Sequence, residues 1–135
     1  MKIREIITES LSHNDAENII GDFLKFVKNF LELDELPVIN LIKDSDYSIK
    51  HRSFGGYSPS DKSINVMISN RHIQDLLRTI AHETVHYKQD LNGELHDDSG
   101  TDGSQEENEA NSTAAIILRK WGKMHPELFG YEPIQ

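Results

Sequence analysis

His82 and His86 stand four residues apart, and Glu83 directly follows the first of them, within the run T-I-A-H-E-T-V-H-Y-K-Q from Thr79 to Gln89. On a helix, side chains four apart lie one above the other on one face. Two imidazole nitrogens can then be offered to one ion. Zn²⁺ suits such a pair, because it takes nitrogen ligands and tolerates three protein ligands with an open position for water. A carboxylate next to the first ligand is placed to act as a general base on that water. The bland alternative is a pair of solvated histidines on the outside of a helix.

A zinc site of this kind needs a third ligand. The longer H-E-x-x-H-x-x-G-x-x-H pattern is excluded, since Gln89 and Asn92 occupy its glycine and last histidine positions. Carboxylates on a following helix remain: Glu106, Glu107 and Glu109. The apolar stripe of that helix is centred near Ala114 and Trp121. Glu107 falls close to the stripe, Glu106 farther out and Glu109 on the far side. A carboxylate inside a buried stripe needs a partner, and a metal ion supplies one. Glu107 also sits three residues after Ser104, where a capping box would use it instead. Asp102 and His96 are weaker candidates in the polar loop Glu94 to Gly103. His13, His51, His72 and His125 belong to no constellation. A peptide-cleaving enzyme also needs a group to stabilise an oxyanion, and Tyr57, Tyr131 and His125 qualify by type.

The elements that position these residues follow from periodicity. Asn14 to Leu33 reads as a helix capped by Asn14 with Glu17 at the box position, with Ile19, Ile20, Phe23, Phe26, Val27, Phe30 and Leu31 on its buried stripe. Pro37 to Lys43 and Tyr47 to Phe54 read as strands, with Gly55-Gly56 as a bend. Ser58 to Asp61 is a turn. Ser63 to Ser69 alternates as a half-buried strand and is the expected sheet edge for an extended peptide. Asn70 is the expected N-cap of the histidine helix, which presents Ile73, Leu77, Ile80, Thr84, Tyr87 and Leu91 to the core and His82, His86 and Gln89 to the opposite side. Asn92-Gly93 ends it. Ser104 opens a last helix with Ala110, Ala114, Ile117, Leu118 and Trp121 inward, and His125-Pro126 stops it. The remaining tail is expected to lie extended on the surface.

Composition narrows the classes further. The chain has 135 residues, no cysteine and a net charge of -9. One domain spanning 1–135 is the natural expectation. Thiolate zinc sites and disulfides are excluded, and a reducing, cytoplasmic compartment fits. Few clustered Lys and Arg argue against a nucleic-acid partner. No apolar run is long enough for a membrane span, and charges at Lys2, Arg4 and Glu5 interrupt any signal-peptide core.

Glu107-Asn108-Glu109-Ala110-Asn111, followed by Ala114, Ile117 and Leu118, resembles the E-x-E-A-N-x-F-A-x-x-L-L segment of the ImmA/IrrE family of zinc metallopeptidases. It is also similar to the E-x-x-A-D helix of other gluzincins. The resemblance runs from about Tyr57 to Leu118. It departs at Thr113, which replaces Phe, and at Arg119-Lys120, which replace Met-Pro. It implies a minimal zincin-like α+β fold, with one Zn²⁺ bound by His82, His86 and Glu107. It makes Glu83 the catalytic base and Asn111 a partner that orients a ligand histidine. The implied substrate is a protein or peptide. The chain lacks a helix-turn-helix region, so a gene-regulatory role does not transfer. The competing class is a non-catalytic zinc-binding structural or virion-associated protein with a zincin fold.

Residues 1–10 carry a second, shorter resemblance. Met1-Lys2 and the run Ile6 to Glu9 are similar to the capsid-targeting leaders of tailed-phage internal head proteins. That implies a phage-encoded protein, found in the virion or in the infected host cytoplasm, with cleavage before Ser10. The plain alternative is a terminal helical turn built on Ile3, Ile6 and Ile7.

Overall fold

The computed structural model describes residues 12–43, 55–95 and 103–134. The leader-like residues 1–10 and the expected strand Tyr47 to Phe54 lie outside these, as do His51, His96 and Asp102. The architecture is α+β. Helix α1 (His13–Phe30) precedes strand β1 (Val38–Ile42), strand β2 (Gly55–Ser58) and strand β3 (Ser63–Met67). Helices α2 (Ile73–Leu91) and α3 (Gln105–Met124) follow, then a short 3₁₀ helix over Pro126–Gly130.

Ser12, not Asn14, caps α1: its Oγ accepts from the Asp15 N–H at 3.1 Å. Ser and Asn cap about equally well, so the choice falls to the register that buries Ala16, Ile20, Phe23 and Val27. The helix ends before Leu33 because Glu32 turns left-handed, with φ 56°. The Leu33 N–H then reaches back to the Lys28 carbonyl at 3.0 Å, closing the terminus.

The strands form one sheet in the order β1-β3-β2, with β1 parallel and β2 antiparallel to β3. Ser63 to Ser69 is therefore the centre of the sheet and not its edge. Two neighbours and a helix layer bury it: Ile64, Val66 and Ile68 are fully buried, and on the other face Ser63 and Met67 are largely buried and Asn65 half-buried. The expected bend at Gly55-Gly56 is instead the start of β2, the antiparallel edge of the sheet among the described residues. Gly55 is required there by close approach. A Cβ on it would lie 2.8 Å from the Asn65 carbonyl oxygen and 2.9 Å from Cγ2 of Thr79.

Asn70 does not cap α2. It adopts φ 60°, a left-handed conformation that Asn tolerates and that no N-cap uses. His72 takes the role, its Nδ1 accepting from the Gln74 N–H at 3.1 Å. Helix α2 is buried around most of its circumference. Leu76, Ala81 and Val85 are buried beside Ile73, Leu77, Ile80, Thr84 and Tyr87, whereas Leu91 is half exposed. The sheet lies on one side of α2, and α3 covers the side that carries the histidines. Asn92 and Gly93, the latter at φ 71°, end the helix as expected.

Ser104 caps α3, its Oγ accepting from the Glu107 N–H at 3.1 Å. Ala110, Ala114, Ile117 and Trp121 form the buried stripe. Trp121 meets Phe23 of α1 edge-on at 5.2 Å. The chain after Pro126 runs along the surface as expected but is not simply extended, since Pro126–Gly130 form the 3₁₀ helix and two side chains anchor it. Leu128 and Ile134 are buried, and Ile134 donates its N–H to the Arg71 carbonyl at 2.7 Å while accepting from the Asn70 N–H.

Replacing Gly55 by Ala is expected to force β2 away from α2. The overpacking should cost about 1–3 kcal/mol, read as a lowered urea midpoint.

Candidate metal centre

Helix α2 brings His82 and His86 to one face, and the first turn of α3 lays Glu107 across them. Glu107 Oε1 is 3.0 Å from His82 Nε2, and Oε2 is 3.0 Å from His86 Nε2. The two Nε2 atoms are 3.2 Å apart, with the rings at 84° to each other. Tetrahedral zinc at ordinary bond lengths spaces its ligand atoms about 3.3 Å apart, so this donor set fits the ion. Glu107 is the carboxylate at the histidines. Its backbone N–H is satisfied by the Ser104 cap while its side chain turns inward, so the two roles do not compete. Glu106 is not part of this cluster, and Glu109 points elsewhere: its carboxylate accepts from Gln89, as does the Glu106 backbone carbonyl.

The surroundings favour metal-binding forms of these side chains. Burial holds the His82 imidazole below its usual value, against the opposing pull of Glu107. A neutral ring offers a lone pair to a cation. Asn111, one turn beyond Glu107, hydrogen-bonds His82, which is where the sequence expects an orienting partner. His86 is oriented by Gln89, whose Oε1 lies 2.7 Å from His86 Nδ1. The sequence reading left Gln89 without a role. Its position three residues after His86, on the same helix face, is the signal that could have found it.

Glu83 lies beside the cluster, with Oε1 4.0 Å from His82 Nε2. Burial pushes its carboxyl up to about 7, and a hydrogen bond from the Tyr57 backbone N–H pulls the other way. A cation at the histidines would lower it further. That N–H also fixes which side of β2 faces the site. N–H groups alternate in direction along a strand, so the Tyr57 N–H points away from β3 and across the outer edge onto Glu83.

Tyr57 is the second residue whose role the sequence obscured. Its hydroxyl donates to Asp90 Oδ2 at 2.6 Å, and Lys62 donates to the same oxygen at 2.6 Å. Burial and the Asp90 carboxylate push the phenol well above its usual value, so it stays the donor. One residue thus grips α2 twice, at Glu83 through its backbone and at Asp90 through its side chain. It is thereby committed as a clamp and not as an oxyanion donor. Tyr131 and His125 are not at the site either. They line a separate cavity of about 440 Å³ with Trp121 and Asp22. His125 caps the far end of α3, five turns or about 27 Å from Glu107.

No family model, curated protein or solved structure matches the chain.

The clamp has a pH signature. Hydrogen bonds from Lys62 and Tyr57 hold the Asp90 carboxyl below its usual value. A depressed folded value stabilises the fold above the unfolded carboxyl range and is lost as pH falls through the folded value. Asp90→Asn should therefore unfold at lower urea than wild type at neutral pH. The difference should shrink below about pH 4 as the wild-type carboxyl protonates.

Proposed function

We propose that this protein is a zinc-dependent metallopeptidase with a minimal zincin-like fold. The observation that carries the reading is the convergence of His82, His86 and Glu107 beside the buried carboxylate of Glu83. Two helices carry all four groups. The likeness of the Glu107 to Leu118 segment to ImmA/IrrE peptidases supports the same reading. His82, His86 and Glu107 would hold the zinc ion, which would supply a Lewis acid for a peptide carbonyl and for a water.

The remaining work falls to the chain. Glu83 accepts the proton of the attacking water and returns it to the leaving amine. Asn111 and Gln89 keep the two rings turned toward Glu107. The outer edge of β2 lies over Glu83 and is the natural place for an extended peptide to pair, in place of the central strand β3. The acidic surface of the chain, at a net charge of -9, favours basic or neutral peptides.

A non-catalytic zinc-binding module is the second reading. It is favoured by one observation: Tyr57, Tyr131 and His125 are all engaged away from the point where an oxyanion would form. Zinc content by mass spectrometry and peptide cleavage separate the two. The peptidase reading expects one zinc per chain, and cleavage that falls by roughly 10²–10⁴-fold in Glu83→Gln with zinc retained. His82→Ala and Glu107→Ala should lose the zinc. Full zinc with no cleavage by the wild type, across basic, neutral and acidic peptide libraries, would leave only the binding module.

A further inference from the structure

Gln89 is almost completely buried, at 1% exposure, and both ends of its amide are engaged. One end faces the Glu106 carbonyl at 3.0 Å and the Glu109 carboxylate at 2.8 Å. Both partners are acceptors only, so this end must be the NH₂ group. The other end, 2.7 Å from His86 Nδ1, is therefore the carbonyl oxygen. A carbonyl cannot donate, so His86 Nδ1 must carry the hydrogen. A neutral imidazole carries only one, so a neutral His86 turns its Nε2 lone pair toward His82 Nε2 at 3.2 Å and Glu107 Oε2 at 3.0 Å, a contact that needs a proton or a cation between the groups. Reversing the amide would set its oxygen against two acceptors, so the orientation is fixed by the first turn of α3.

We propose that Gln89 is a positioning residue that locks His86 in its Nδ1–H tautomer, with Glu106 and Glu109 of α3 setting the direction of the lock. The turn that delivers Glu107 as third ligand thereby also prepares the second ligand. Docking of α3 makes both available together. This rests on the metal reading for its purpose but not for its physics, because the lock exists in the metal-free protein.

The test uses metal-free full-length protein at about pH 8, above the usual imidazole range. Two-bond ¹H–¹⁵N correlation spectra of the imidazoles report the tautomer directly. His86 is expected as Nδ1–H in the wild type and to lose that preference in Gln89→Leu. Zinc affinity, from competition with a chromophoric chelator, should fall roughly 10–100-fold in Gln89→Leu. The double variant Gln89→Glu with Glu109→Gln keeps an acceptor at His86 and restores the side-chain pair between the helices while losing the contact to the Glu106 carbonyl, and should recover part of the affinity. A purely structural role would not restore it in that paired way. An Nε2–H tautomer for His86 in the wild type overturns the proposal, and this reading holds even where Gln89→Leu fails to fold. Unchanged zinc affinity in a folded Gln89→Leu also overturns it. A wild type that shows Nδ1–H but takes up no zinc supports the lock and sinks the metallopeptidase reading instead.

Discussion

Two imidazole nitrogens and a carboxylate sit 3.0–3.2 Å from one another, an arrangement that repels itself unless a proton or a cation lies among them. The structure holds it with parts that have little freedom to relax. His82 and His86 ride on a helix buried between the sheet and α3. Glu107 is fixed at its backbone by the Ser104 cap, and Gln89 ties the same turn of α3 to α2. The apolar contacts of Ala110, Ala114 and Ile117 then keep the two helices together. Burial of this kind sharpens every charge interaction at the site, because water cannot screen it. Much of the sequence between Ser63 and Trp121 can be understood as support for that one cluster of electron-rich groups.

The sheet contributes through its edge. Strand β3 is largely buried on both faces and serves as the base on which β2 is registered. Gly55 lets β2 run close enough to α2 for the Tyr57 N–H to reach Glu83. Asp90, two turns farther along α2, holds the hydroxyl of the same tyrosine, and Lys62, just before β3, donates to the same Asp90 oxygen. Edge, helix and carboxylate are thus referenced to one another by hydrogen bonds of specified direction, and not by packing alone.

The local grammar of the chain was the most legible part. The spacing of His82 and His86, the Ser104 start of α3, the Asn92-Gly93 stop and the stripe position of Glu107 all depend on neighbours within a turn or two. What needed three dimensions was everything decided by a second element. Ser63 to Ser69 looks half buried because alternation reports one face, whereas its position between β1 and β2 buries the other as well. Gln89 looks like a surface residue until α3 covers it. Ser12 and Asn14 are equivalent caps until the core chooses a register. Tyr57 reads as a free phenol because Asp90 is more than thirty residues away, beyond the reach of any local rule.

The contact of Ile134 with Asn70 and Arg71 has a consequence for how the molecule is assembled. It joins positions some sixty residues apart, a far longer closure than the hairpin of β2 and β3 or the α2–α3 pair. Loop closure of that length is slow to be rewarded. The two helices that carry the donors can find each other first, through contacts about twenty residues apart in sequence such as His86 with Glu107. The start of α2 is held locally by Arg71, which bonds the Met67 carbonyl and Asp75, and the Ile134 segment adds a long-range contact there. In terms of chain closure, the donor cluster is built from contacts about twenty residues apart, whereas the Ile134 clasp at the start of the same helix spans some sixty.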